Sequence, residues 1–146
     1  MGIHRAERSL EIDAAPPQCF EAITDYETFA EWQDAVKSAE VVERRPDGAV
    51  VDFAVDAKFR EVTYRLDYHH EPPGRVWWEF VHGKGVEHVE GEFTFEPAKG
   101  GTLATYRLGI DPGVPVPGLI VRRLNGLVMK RSVEDLRDEV LRRAGR

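Results

Sequence analysis

The chain has 146 residues, 42% hydrophobic and 32% charged, with a formal net charge of −6 at pH 7. This is the composition of a soluble globular protein and excludes a disordered one, and the length suits one domain spanning 1–146. An acidic balance without any sustained Lys/Arg block excludes a nucleic-acid backbone as principal partner.

His4 to Ile12 alternates, with Ala6, Arg8, Leu10 and Ile12 in one register, and reads as a strand. Pro16 and Pro17 open a short helix, where a missing N–H costs nothing in the first turn. Its residues Cys19, Phe20 and Ile23 face one side. Cys19 is the sole cysteine, so no intrachain disulfide or multi-cysteine metal cage can form, and it reads as a small buried hydrophobe. Asp25 is expected to cap a further turn, Tyr26 to Glu31. Tyr26, Phe29 and Trp32 lie at helical spacing and are expected either to plug a core or to rim a pocket.

The middle of the chain is antiparallel in character. Strands are expected at Val36–Arg45 and Ala49–Ala57, joined by Pro46-Asp47-Gly48, and at Glu61–His70, which Pro72-Pro73-Gly74 ends. Arg75–His82 and Val86–Glu96 read as a hairpin about Gly83-Lys84-Gly85, and Thr102–Ile110 is the last strand. Short connections predict a meander of neighbours. A Pro/Gly-rich stretch, 111–118, then leads into a helix from about Leu119 to Arg143. Ile120, Leu124, Leu127, Val128, Val133, Leu136 and Val140 are its expected apolar stripe, and Arg123, Lys130, Arg137 and Asp138 much of its polar side. The basic pairs Arg122-Arg123, Lys130-Arg131 and Arg142-Arg143 are expected on a solvated face, with an anionic surface as their other use. A one-faced sheet and one amphipathic helix are best satisfied if the curved sheet wraps around the helix, an α+β arrangement.

One helix cannot fill the space beneath such a sheet, so the gap is a candidate ligand cavity. Inward-facing Phe53, Tyr64, Leu66, Tyr68, Trp78, Phe80, Phe93, Phe95, Tyr106 and Leu108 would line it. Buried phenols require partners, and Tyr64, Tyr68 and Tyr106 are either satisfied core tyrosines or donors to a ligand. Arg131, near the apolar stripe, would either reach a carboxylate or phenolate ligand or lie along the surface. Alternation puts His82 on the Trp78/Phe80 face and His88 outward, and only one of His69 and His70 can face in. None of these forms a dyad in the sequence. No metal is expected: His82 and His88 flank a turn without HExxH or cysteine spacing. The glycines at 83 and 85 lack a phosphate-cradling setting, and Ser9, Ser38 and Ser132 sit in no nucleophile elbow.

Three segments carry a resemblance: EIDAAPPQCFEAITDYETFAEW, then GEFTFEP with GGTLATYRLGID, and finally PVPGLIVRRLNGLVMKRSVEDLRDEV. On these the chain resembles the START-like (SRPBCC) superfamily, in its polyketide cyclase/dehydrase and coenzyme Q-binding branch. The resemblance spans Glu7 to Arg142. It implies a helix-grip fold: a seven-stranded curved antiparallel sheet wrapped around a long C-terminal helix, with two short helices after the first strand. It also implies a cavity lined from the sheet and that helix, here the regions of Tyr64, Trp78, Phe93 and Leu124 to Val128, with no shared catalytic triad.

The expected function is binding or carriage of a hydrophobic small molecule, a lipid, quinone or polyketide-like compound. The alternative is a polyketide cyclase/aromatase acting in the same cavity, and a third reading is a nearly filled interior with a structural or stress-related role. Expected ligand contacts are Trp32, Phe53, Tyr64, Tyr68, Trp78, Phe80, Phe93, Tyr106, Leu124, Leu127, Val128 and Arg131. Tyr64 and Arg131 are the catalytic candidates if there is catalysis. No cofactor, nucleic acid or stable membrane insertion is expected, monomer and homodimer are both open, and no signal or membrane span is evident, so a cytoplasmic location is expected.

Overall fold

The computed structural model describes residues 2–56 and 61–145. In chain order the elements are β1 (His4–Ile12), α1 (Pro16–Ile23), a 3-10 turn (Tyr26–Thr28) running into α2 (Phe29–Trp32), β2 (Val36–Arg45) and β3 (Gly48–Asp56). Then come β4 (Glu61–Glu71), β5 (Arg75–Lys84), β6 (His88–Ala98), β7 (Gly101–Asp111) and α3 (Gly118–Arg143). The predicted end of β3 at Ala57 lies outside the described residues. The seven strands form one antiparallel sheet in the order β1-β7-β6-β5-β4-β3-β2. The sheet curves around α3, which packs chiefly on β1 and α1. This is the helix-grip fold.

Antiparallel partners point to the same face, so the register defines the concave rows. One row crosses six strands: Ala49, Tyr68, Trp78, Gly91, Leu108 and Ala6. The alternation of large and small residues is required. A Cβ on Gly91 would lie 2.5 Å from the Trp78 indole and 2.6 Å from the Arg107 carbonyl, and one on Gly48 would collide with the Tyr68 carbonyl. A second row is Val76, Phe93, Tyr106 and Arg8.

Four local expectations are corrected. Asp25 stands at the N-cap of the 3-10 turn, but its side chain makes no capping bond. Its carboxylate instead accepts from Arg143, 3.0 Å away at the end of α3. The hairpin of β5 and β6 pairs only from Arg75/Thr94 to Trp78/Gly91, and beyond that the strands part. His82 leaves the Trp78/Phe80 face: Leu66 pairs with Phe80 while the preceding Arg65 pairs with His82, so Val81 is bulged out. One extra residue in a period-two element turns everything after it to the other side.

The fourth correction concerns α3. Its buried residues are Val121, Asn125, Met129, Val133, Leu136, Glu139 and Val140. Ile120, Leu127 and Val128 are exposed. Val133, Leu136 and Val140 set the phase of the buried side, and stepping back by four from Val133 reaches Met129, Asn125 and Val121. Among the described residues no helix is long and apolar enough to cross a membrane.

Candidate ligand site

The concave face is dominated by aromatic rings. Tyr68 packs on Tyr26 and Trp78 with ring centroids 4.5 and 5.3 Å apart, and Trp78 continues to Tyr106 at 5.9 Å. Phe93 stacks on Tyr106 at 4.4 Å, while Phe53 bridges Tyr64 at 5.5 Å and Phe29 at 6.1 Å. Trp32 lies edge-on to Phe29, and its indole N–H donates to Thr28 Oγ1 at 3.0 Å. Phe53, Tyr68, Trp78, Phe93 and Tyr106 are buried, whereas Trp32, Tyr64 and Phe80 are partly exposed. The Asp25–Trp32 segment thus joins this cluster through Tyr26 and Phe29, both buried, with Trp32 at its edge.

All four tyrosines of the chain meet here. Burial pushes the Tyr64 phenol up to about 12. Burial also raises Tyr26, Tyr68 and Tyr106, and in Tyr68 the neighbouring phenols of Tyr26, Tyr64 and Tyr106 add to the rise. Every one is therefore a neutral hydroxyl at physiological pH. Among the described residues only Tyr26 has a hydrogen-bond partner, His70 Nε2 at 2.7 Å. The hydroxyls of Tyr64, Tyr68 and Tyr106 make no hydrogen bond to any described residue. Among the described residues the one buried side-chain polar atom without a partner is Oδ1 of Asn125, on α3.

The Tyr26–His70 pair was invisible in the sequence. His70 follows Tyr68 and Leu66 on the inward side of β4, and Phe20 of α1 covers its ring edge-on at 5.7 Å. Burial foremost, and then the positive charge of Arg45, lower the His70 pKa from 6.5, so the imidazole is neutral at pH 7. His69, on the opposite face, bonds Glu79 at 2.7 Å. Arg8 shares one register with Ala6, Leu10 and Ile12 in the sequence but was not recognised as a site residue. It lies directly opposite Tyr106, is exposed, and has no ion-pair partner among the described residues.

Other expected residues stand elsewhere. Leu124 is half-buried, while Leu127 and Val128 are 54% and 44% exposed. Arg131 turns to the surface, where it pairs with Asp34 at 3.3 Å and Asp135 at 3.6 Å. Both carboxylates thus engage the guanidinium on an exposed part of the surface. His82 lies beside Asp52 on the convex side. The convex face also gathers Asp67, His69 and Glu79 with ligand atoms within 4.8 Å of one another. Asp67 is held by Arg45 at 2.6 Å and Glu79 by His69 at 2.7 Å, so the group is satisfied as a hydrogen-bonded network.

Where β5 and β6 part, a depression of about 890 Å³ opens on the convex side, bordered by Arg5, Glu90 and Arg107 and including Trp78, Phe80 and Leu108 in its walls. Phe80 and His88 stand 5.7 Å apart across the slit. The bordering charges are already paired, Arg5 with Glu90 and Arg107 with Glu7 and Glu92, so the depression presents no free charge for an ionic ligand.

Comparison with known proteins matches this architecture. No curated protein matches the chain. A START superfamily protein from Mycobacterium smegmatis shares the fold at a TM-score of 0.86 and 19% identity, over 95% of this chain and 98% of that one. The ZhuI aromatase/cyclase from Streptomyces sp. R1128 aligns at 0.81 and 16% identity, covering 97% and 96%. A STAR-related lipid transfer protein from Xanthomonas axonopodis aligns at 0.75 and 18%, covering 95% and 93%. The family described as polyketide cyclase / dehydrase and lipid transport matches residues 4–143. The chain therefore belongs to that family.

Proposed function

We propose that this protein binds and carries a hydrophobic small molecule bearing a few oxygen acceptors, held between the concave aromatic face and α3. One observation carries this reading: three neutral phenols, Tyr64, Tyr68 and Tyr106, stand without hydrogen-bond partners among the described residues, in an otherwise aromatic setting. These hydroxyls keep accessible surface rather than being sealed in the packing, and a carbonyl- or quinone-type ligand beside them would accept their hydrogen bonds while the rings cover it. Aromatic walls give such a ligand most of its contact area, and the phenols fix its orientation. Family membership agrees with this ligand class.

Native purification followed by organic extraction and mass spectrometry should recover a stoichiometric apolar compound. Recovery of none, with no binding across quinones, fatty acids and polyketides, would sink the reading. Because these phenols have no hydrogen-bond partner among the described residues, Tyr68→Phe should leave thermal stability unchanged or slightly raised. It should weaken binding of a quinone by roughly fivefold, the worth of one neutral hydrogen bond.

One observation favours a second reading, a poly-ketone cyclase: the Tyr26–His70 pair, a phenol on a neutral imidazole at 2.7 Å. Such a pair can take a proton from an activated carbon or return one to an enolate oxygen. Under this reading His70→Gln lowers turnover of a linear poly-ketone by roughly 100-fold with little change in its binding. Equal turnover of variant and parent removes the pair from any mechanism.

A further inference from the structure

The first half of α3 presents an apolar surface left exposed among the described residues. Leu119, Ile120, Leu127 and Val128 are 66%, 48%, 54% and 44% exposed, four of the six exposed large aliphatics among the described residues. Ile120, Leu124, Leu127 and Arg131 recur at i, i+4, i+7 and i+11, turned away from the buried row Val121, Asn125 and Met129. Single exposed aliphatics are ordinary, but a cluster of four within ten residues is not.

Charge along the same helix is sharply divided. Between Gly118 and Val133 there are four cations, Arg122, Arg123, Lys130 and Arg131, and no acid, in a chain whose net charge is −6. The second half holds Glu134, Asp135, Asp138 and Glu139, and there Arg142 and Arg143 are both bound by Glu139. In the first half, Arg122, Arg123 and Lys130 have no ion-pair partner among the described residues. Thus the uncovered aliphatics and the unpaired cations share one segment of α3.

We propose that the first half of α3 is a peripheral docking surface for an anionic lipid bilayer, lying in the headgroup region with its aliphatics down and its cations against lipid phosphates. A helix with large aliphatics beside Lys and Arg suits that interface, and the cations select an anionic leaflet. A second copy of the chain fits less well, since a two-fold contact would set four cations against four. The surface is separate from the aromatic site, so this proposal stands whether or not an interior ligand is found.

The test is sedimentation of the whole protein with vesicles of phosphatidylcholine alone and of phosphatidylcholine with phosphatidylglycerol. Binding is expected to the mixed vesicles only and should fall steeply as salt is raised. Leu127→Glu and the pair Arg123→Glu/Lys130→Glu should each lower it at least roughly tenfold, with the melting temperature unchanged because these side chains are exposed. The proposal is overturned by equal binding to both vesicle types, by none to either, or by variants that bind like the parent. A concentration-dependent dimer in sedimentation equilibrium that Leu127→Glu dissolves also overturns it, and would make this face a contact between copies.

Discussion

Trp78→Ala should lower the unfolding free energy by about 3–5 kcal/mol, measured by urea denaturation with an unchanged fold in far-ultraviolet circular dichroism. The indole is 6% exposed and touches Tyr68, Tyr106 and Phe93 while lying over Gly91. Its removal takes away both its own burial and one side of each neighbour's packing. Gly91 tests the local geometry further. Gly91→Ala in the parent meets both the indole and the Arg107 carbonyl, whereas in the Trp78→Ala background only the carbonyl remains. The double-mutant cycle should therefore show coupling of roughly 1–2 kcal/mol. Strict additivity would mean that the indole does not rest on Gly91.

Arg143→Ala should cost about 2–4 kcal/mol, close to the loss for breaking a buried ion pair. Glu139 is only 5% exposed and is bonded by Arg142 at 2.6 Å and Arg143 at 2.7 Å. Arg143 also reaches Asp25 at 3.0 Å and Thr28 at 3.2 Å, tying the last turn of α3 to the segment that carries Tyr26. Its loss leaves a buried carboxylate with the exposed Arg142 alone and releases that segment. A pH series separates this from simple packing loss. The hydrogen bonds from Arg142 and then Arg143, opposed by burial, hold the Glu139 carboxyl below its ordinary value of 4.5. A depressed carboxyl stabilises the fold fully above that unfolded value, and the contribution is lost as pH falls through the native one. In Arg143→Ala the depression shrinks, so the difference between parent and variant should narrow as pH drops below 4.5. A constant difference down to the acid limit would assign the effect to packing.

Much of the fold was legible because its signals are local. Alternation at Val51, Phe53 and Val55, or at Tyr64, Leu66 and Tyr68, is a two-residue pattern that needs no knowledge of the partner strand. Pro16-Pro17 and Pro46-Asp47-Gly48 likewise mark an entry and a turn through their own backbone chemistry. The aromatic content of the concave face followed from the same alternation. Legibility failed where phase had to be carried through an irregularity. Val81 bulges, so His82 changes face. In α3 two apolar rows compete over the first half, and only the packing of the helix on β1 and α1 selects Val121, Asn125 and Met129 over Ile120, Leu127 and Val128.

Pairs distant along the chain were out of reach for another reason. Tyr26 and His70 are 44 residues apart, and Asp25 and Arg143 are 118 apart. Neither residue type nor spacing announces such contacts, because they exist only once curvature brings a sheet end beneath the short helices.

By itself, then, the amino-acid order determined the strands, the helices, their succession and the aromatic character of one sheet face, since each follows from steric preference and burial over a few residues. Tertiary structure alone decided which phenols lack partners, that Arg131 is held outside by Asp34 and Asp135, and which half of α3 is left uncovered. Those outcomes depend on the relative rotation of packed elements, where a change of one residue in phase exchanges the interior for solvent.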